Sequence, residues 1–217
     1  MGSVTGAMGD VTTADLTAWV TRFAALVQEH QAELTELDSA IGDADHGANM
    51  SRGMQAVLPK LEGAGTPADL GKTVGMTLVS TVGGASGPLY GTFFLRLGAS
   101  AGTAEALDAA ALGAALRAGV EGVVQRGKAE PGDKTMIDAF TPALQAWDDA
   151  VSAGGDAAAA ATAAAAAAAG GRDATIPLVA RKGRASYLGE RSAGHLDPGA
   201  ASATLLLDAL RDTLAPA

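Results

Sequence analysis

From Asp156 to Gly170 the chain is almost pure alanine, broken only by the polar Thr162. No residue has a higher intrinsic helix propensity than alanine, so this tract has one fold open to it. Its hydrophobicity comes from small methyl groups alone. With Thr162 inside it and Asp and Gly flanking it, the expectation is a soluble helix rather than a membrane span.

The rest of the chain agrees with a helical fold. Residues 11–37 carry Leu16, Trp19, Val20, Phe23, Leu26, Val27, Leu34 and Leu37 at helical spacing behind Thr12 and Thr13 as candidate N-caps, which predicts one long amphipathic helix. Gly42 and Gly47 bracket a turn, residues 48–60 read as helix, and EGAGTP as a loop. A helix over Ala68–Val82 runs into the glycine cluster GGASG. The apolar LYGTFFLRLGASA reads as a buried helix from its helical flanks, and EALDAAALGAALRAGVEGVVQRG as another. AEPGDKT breaks it at Pro131 and Gly132, and MIDAFTPALQAWDDAVSAG restarts it with a kink expected at Pro142. After the alanine helix, a polar loop, RKGRASYLGERSAGHLDPG, leads to a last helix over residues 200–214. Strand-like alternation is nearly absent and no fixed-period repeat is visible. The expectation is therefore an all-α chain of about eight helices, with residues 1–11 a flexible N-terminus and residues 12–217 one domain.

Composition narrows the function. With 48% hydrophobic and 18% charged residues the chain can bury a core, and its formal net charge of -9 lacks the cationic footprint that nucleic acid requires. There is no cysteine, so disulfides, thiolate metal sites and cysteine nucleophiles are excluded. MGSVTGAMGD has neither the basic start nor the apolar core of a signal peptide. A cytoplasmic protein with small-molecule or protein partners, and neither nucleic acid nor membrane among them, is expected.

The stretch LDSAIGDADHGANM brings Asp38, Asp43 and Asp45 together with no lysine or arginine among them. A hard divalent cation would supply the missing charge, and three monodentate aspartates leave positions open for phosphate oxygens, as Mg²⁺ requires. A calcium loop of EF-hand type fails, since the twelfth position counted from Asp43 is Met54 where a bidentate glutamate belongs. The plain alternative is that these aspartates are helix caps and turn formers.

Two further loops bear on that choice. GGASG, residues 83–87, lets backbone N–H groups approach a phosphate, with a helix start beyond it, although such turns are commonly only turns. Arg181, Lys182, Arg184 and Arg191 concentrate cations in one loop of an acidic chain, either as solvated surface or as partners for metal-bound phosphates. His46 and His195 lie in these polar loops and His30 reads as surface; no Ser-His-Asp arrangement is legible. The residues alone thus reach a Mg²⁺-phosphate site on a helical scaffold, without a substrate.

Taken together, LDSAIGDADHGANMSRG, TVGGASGPLYGTFF, RGKAEPGDKTMIDAF and ARKGRASYLGERSAGHLDPGA closely resemble the nucleotide-binding subunits of dihydroxyacetone kinases, called DhaL in bacteria, over roughly residues 12–214. The resemblance implies a barrel of eight antiparallel amphipathic helices with the nucleotide in loops at one end. It implies that Asp38, Asp43 and Asp45 hold two Mg²⁺ ions bridging the nucleotide phosphates, and that His46, Gly47, Ala48 and Asn49 contact the nucleotide. It further implies phosphate binding by Ala85 and Ser86 within Gly83, Gly84 and Gly87, with Leu89 an adenine neighbour and Gly127 and Met136 close by. Arg184 would reach the phosphates as the catalytic residue, and Asp197, Pro198 and Gly199 would close the site.

By the same resemblance the ketone is held covalently by a separate dihydroxyacetone-binding subunit. A chain limited to this domain resembles the phosphoenolpyruvate-dependent form, in which ADP/ATP is a tightly bound coenzyme recharged by a phosphohistidine donor subunit of the phosphotransferase system. Two rival readings stand beside it: a kinase subunit for another short ketose using exchangeable ATP, and a nucleotide-sensing binding module read by a transcriptional regulator.

Overall fold

Thr12 opens the first helix with a reciprocal cap: its hydroxyl accepts from the Asp15 N–H, and the Asp15 carboxylate accepts from the Thr12 N–H at 2.8 Å. The computed structural model describes residues 9–215, so most of the expected flexible N-terminus, residues 1–8, lies outside the described residues. Val11, the last residue of that segment, is buried and begins a two-residue strand β1 (Val11–Thr12). β1 pairs antiparallel with β2 (Ala106–Leu107), Val11 opposite Leu107.

Nine α-helices follow among the described residues, against the expected eight or so. The long helix predicted over residues 11–37 is two, α1 (Thr13–Glu29) and α2 (Gln31–Ile41), parted at His30, whose backbone leaves the helical range at φ -98°, ψ 12°. The break frees α2 to pack on α3 and α9 while α1 packs mainly on α9. The remaining helices are α3 (His46–Val57), α4 (Pro67–Thr81), α5 (Ser86–Ala101), α6 (Ala109–Gly127), α7 (Met136–Ser152), α8 (Ala157–Ala174) and α9 (Pro198–Leu214). Residues Leu58–Gly63 and Arg184–Ser192 are 3₁₀ turns, the second inside the loop that the sequence marked as polar. Each helix from α3 to α9 packs on the next, and α9 packs back on α1.

Small residues set how close these helices come. On α4 and α5, Gly71 faces Gly98 and Gly75 faces the Gly91 carbonyl, at separations a Cβ would overlap. The alanine tract becomes α8, which buries Ala157, Ala160, Ala161, Ala164, Ala165 and Ala168 on one face. No described helix is long and apolar enough to cross a membrane. Helix α7 continues through Pro142, which cannot donate to the Asp138 carbonyl. Gly171 of α8 lies against that carbonyl and the proline ring, where any side chain would collide. Trp19, Phe23, Tyr90, Phe93, Phe94, Phe140 and Trp147 fill the core between the helices. Both indole N–H groups find backbone carbonyls there, Trp19 at Leu206 and Trp147 at Ala109.

Candidate functional site

The alternation of helix directions brings one set of ends together. Helices α3, α5, α7 and α9 begin around a cleft of about 410 Å³, and α2, α4 and α6 end at it. That volume suits a small-molecule ligand. Four helix N-termini turn the positive ends of their dipoles toward one space, which favours an anion there.

Asp38 lies in the last turn of α2, and Asp43 and Asp45 in the turn that follows. One carboxylate oxygen from each lies within 4.8 Å of the others. Asp38 is buried, and its Oδ2 accepts from the backbone N–H groups of Asp45 at 2.8 Å and His46 at 3.1 Å. It therefore caps α3 from the preceding helix, so the capping alternative describes Asp38 without removing it from the cluster. Between the other two, Ala44 adopts a left-handed φ of 61°, a conformation that costs a non-glycine residue on the order of 1 kcal/mol. Three hard oxygen donors with no buried cation among them fit Mg²⁺ by their chemistry. An Arg184 guanidinium nitrogen stands 3.0 Å from Asp43 Oδ2, both side chains being well exposed.

The glycine turn meets this cluster from α5. No side chain caps the start of α5, which leaves its first N–H groups available. The Ser86 hydroxyl lies 3.1 Å from His46 Nδ1, and His46 Nε2 lies 2.9 Å from the Ser202 hydroxyl, itself 2.7 Å from the Tyr90 hydroxyl. Burial holds the His46 imidazole below its ordinary pKa, against the opposing pull of Asp38 and Asp45. A neutral ring then orders Ser86 and Ser202 through its two nitrogens. Burial likewise raises the Tyr90 phenol, which stays protonated.

Four of the expected contact residues stand off the cleft wall. Asn49 packs beneath Gly83, its carboxamide where a Gly83 side chain would go, and pairs with Arg52 at 2.5 Å. Gly47 lets α3 lie against the Gln31 carbonyl, Gly87 lets α5 lie against the Val82 carbonyl, and Ala48 is exposed away from the cavity. His195 is exposed as well and does not line it. The other expected residues do line it: Gly83, Gly84, Ala85, Ser86, Leu89, Gly127, Met136, Arg184, Asp197, Pro198 and Gly199.

Asp197 caps α9, accepting from the Ala200 N–H at 2.7 Å. Burial raises its pKa to about 7, opposed by that hydrogen bond and by Lys134. The far wall is apolar, with Leu89, Val123, Ala129, Met136 and Ile137. Lys182, of the cationic loop, also lines the cleft, as do Lys134, Thr135 and Arg126, which sequence reasoning passed over. Thr135 carried a legible signal, since it caps α7 in a box with Asp138. Lys134 carried none, because lysine is rarely buried.

The DAK2 domain profile matches residues 40–212. The chain is 48% identical over 204 residues to a Listeria innocua protein named PEP-dependent dihydroxyacetone kinase 1, ADP-binding subunit DhaL, covering 90% of this chain and 93% of that one. It is 44% identical over 195 residues to the Escherichia coli PEP-dependent dihydroxyacetone kinase, ADP-binding subunit DhaL, covering 88% and 92% of the two chains. Among solved structures, the dihydroxyacetone kinase from C. freundii in complex with AMP-PNP and Mg²⁺ matches with a TM-score of 0.69 at 26% identity, covering 98% of this chain but only 36% of that one.

Proposed function

Because the chain belongs to the DAK2-domain family, among its ADP-binding DhaL subunits, we propose that it carries ADP/ATP as a bound coenzyme and passes the terminal phosphate to dihydroxyacetone held by a partner subunit. A phosphohistidine protein then recharges the ADP, drawing on phosphoenolpyruvate. The observation that carries this reading is the Asp38, Asp43 and Asp45 cluster facing the uncapped start of α5, with Arg184 at its rim.

Asp38, Asp43 and Asp45 hold Mg²⁺, two ions in this reading, which supplies positive charge to neutralise the phosphate oxygens. The first N–H groups of α5, at Ala85 and Ser86, receive phosphate oxygens. The glycines before them leave the backbone open to that approach, and His46 fixes the Ser86 hydroxyl. Asn49 supports the turn from below. Leu89 and Met136 offer apolar surface for the adenine, with Gly127 beside Leu89. Arg184 leaves Asp43 and stabilises the charge that spreads over the transferring phosphoryl group. Asp197 holds the start of α9 at the edge of the site, with Pro198 and Gly199 in its first turn. The ketone hydroxyl and the group that accepts its proton belong to the partner.

The test is reconstitution. Purified protein should retain ADP and Mg²⁺ through gel filtration, read by native mass spectrometry. With a ketone-binding subunit and a phosphohistidine donor it should form dihydroxyacetone phosphate at the expense of phosphoenolpyruvate, without free ATP. Transfer that runs only on added ATP, with no retained nucleotide, would replace the coenzyme reading by an exchangeable one. No nucleotide binding at all would end both.

A further inference from the structure

Lys134 is 1% exposed, a lysine inside a protein whose other cations lie at or near the surface. Its ammonium donates to the carbonyls of Thr175 at 2.6 Å, Ile176 at 3.4 Å and His195. An ammonium has three donors, and all three are spent on backbone. These acceptors sit on both sides of one neck, where residues 176–196 leave α8 and return to α9. The neck is closed further by the Gly194 N–H on the Ile176 carbonyl at 2.8 Å and the Asp197 N–H on the Thr175 hydroxyl at 3.1 Å. Beyond it the segment reaches over to α2, where Ala180, Ala185 and Leu188 pack on Ile41 and Arg184 meets Asp43.

The backbone shows that the side chain is what matters at this position. Lys134 sits at φ 64°, where glycine is at ease and lysine is strained. Burying an ammonium adds a desolvation penalty that only full pairing offsets. Both costs fall on one residue, immediately before the Thr135 cap of α7 and within the field of Asp197 and Asp138. A lysine suits the task better than an arginine: three carbonyls converge on one nitrogen, which a planar guanidinium does not match.

We propose that Lys134 is a positioning residue for the reaction, a clasp that locks the neck of residues 176–196 to the start of α7 so that Arg184 is delivered to the cleft at a fixed place. This rests on the kinase reading for its consequence, not for its structure. With every donor taken, Lys134 does not bind the nucleotide itself.

The test is Lys134→Met, which keeps the length and removes the donors, with Lys134→Gly as a second variant that the backbone favours should the first not fold. In the free protein, amide exchange over residues 176–196 should quicken about tenfold while α4 and α5 keep their protection. With a complete ketone-binding partner, turnover should fall on the order of a hundredfold, as for a displacement of about 1 Å, while ADP affinity changes only a few-fold. Lys134→Arg should restore little. Unchanged exchange over residues 176–196 would overturn the clasp. So would faster exchange over the whole chain, which marks a general packing role, or ADP affinity falling in step with turnover, which marks a ligand contact. A wild-type protein inactive with its partner would sink the kinase reading instead, and the exchange comparison would still judge the clasp.

Discussion

The helices that begin away from the cleft differ from those that begin at it. Away from it, α1, α4, α6 and α8 each start on a side chain that caps them, Thr12, Thr66, Asp108 and Asp156, while α2, which follows α1 directly at His30, starts without one. At the cleft, α7 and α9 keep caps of their own, Thr135 and Asp197, but α5 starts with no cap and α3 is capped only from another helix by Asp38. Strain divides the same way. The three non-glycine residues with left-handed backbone among those described, Ala44, Lys128 and Lys134, all lie in turns beside the cleft. The cleft end thus keeps the start of α5 open and carries the bent turns, which holds donors ready for a ligand. Such strain persists only where the surroundings enforce it.

The sharpest way to break this contrast is at the aspartate cluster proposed to hold Mg²⁺. Asp43→Asn keeps the turn and removes one carboxylate charge, and in the free protein it gives up only an exposed ion pair with Arg184 that is worth little. Changing groups that merely support a metal ligand costs 10–100-fold, so loss of a direct ligand should weaken Mg²⁺-dependent ADP binding by about a hundredfold or more. Calorimetry with and without Mg²⁺ reads it, and wild-type affinity in the variant would show that the aspartates are turn formers after all.

Next in size is Arg184→Ala. Charge grows on the transferring phosphoryl group more than on resting ADP, so turnover should drop on the order of a hundredfold while ADP retention falls much less. Proportionate losses in both would make Arg184 a binding residue only.

Asp197 tests the cleft end without ligand. Its carboxyl is raised to about 7 in the folded protein and is near 3.9 when unfolded. The folded state therefore binds the extra proton, and this group's contribution is full below about pH 4 and lost as pH rises through about 7. Asp197 should lower free-protein stability by about 2 kcal/mol between roughly pH 5.5 and 7, against the rise that the buried neutral His46 contributes over the same window. Asp197→Asn, which retains a capping side chain, should lose the falling part and become more stable relative to wild type as pH rises. Urea melts across that interval decide it.

The smallest effect belongs to the other end. Asp156→Ala removes the cap of α8, whose side chain accepts from the Ala159 N–H at 2.9 Å, and should cost about 1 kcal/mol of stability with ADP binding untouched. A change in nucleotide affinity there would mean that the two ends are coupled.

Much of the fold was legible because its signals are short-range. Apolar spacing, caps such as Thr12, and the alanine tract act within a turn or two of helix, and they determined an all-α chain with its loops in nearly the right places. The crowding of Asp38, Asp43 and Asp45 was legible for the same reason, since one turn carries it. The break at His30 was not, because apolar periodicity runs straight through it and only packing on α3 and α9 rewards the bend.

Which loops meet was decided by tertiary structure alone. Arg184 reaches Asp43, Ser202 reaches His46, and Lys134 reaches Thr175 and His195 across long stretches of chain. Helices of alternating direction, drawn close by glycine and alanine faces, bring those ends together. The same packing separated expected contacts into wall and support, leaving Ser86 at the cleft and Asn49 beneath it. A local pattern states what a residue can bond; the packing of distant helices determines what it is given to bond.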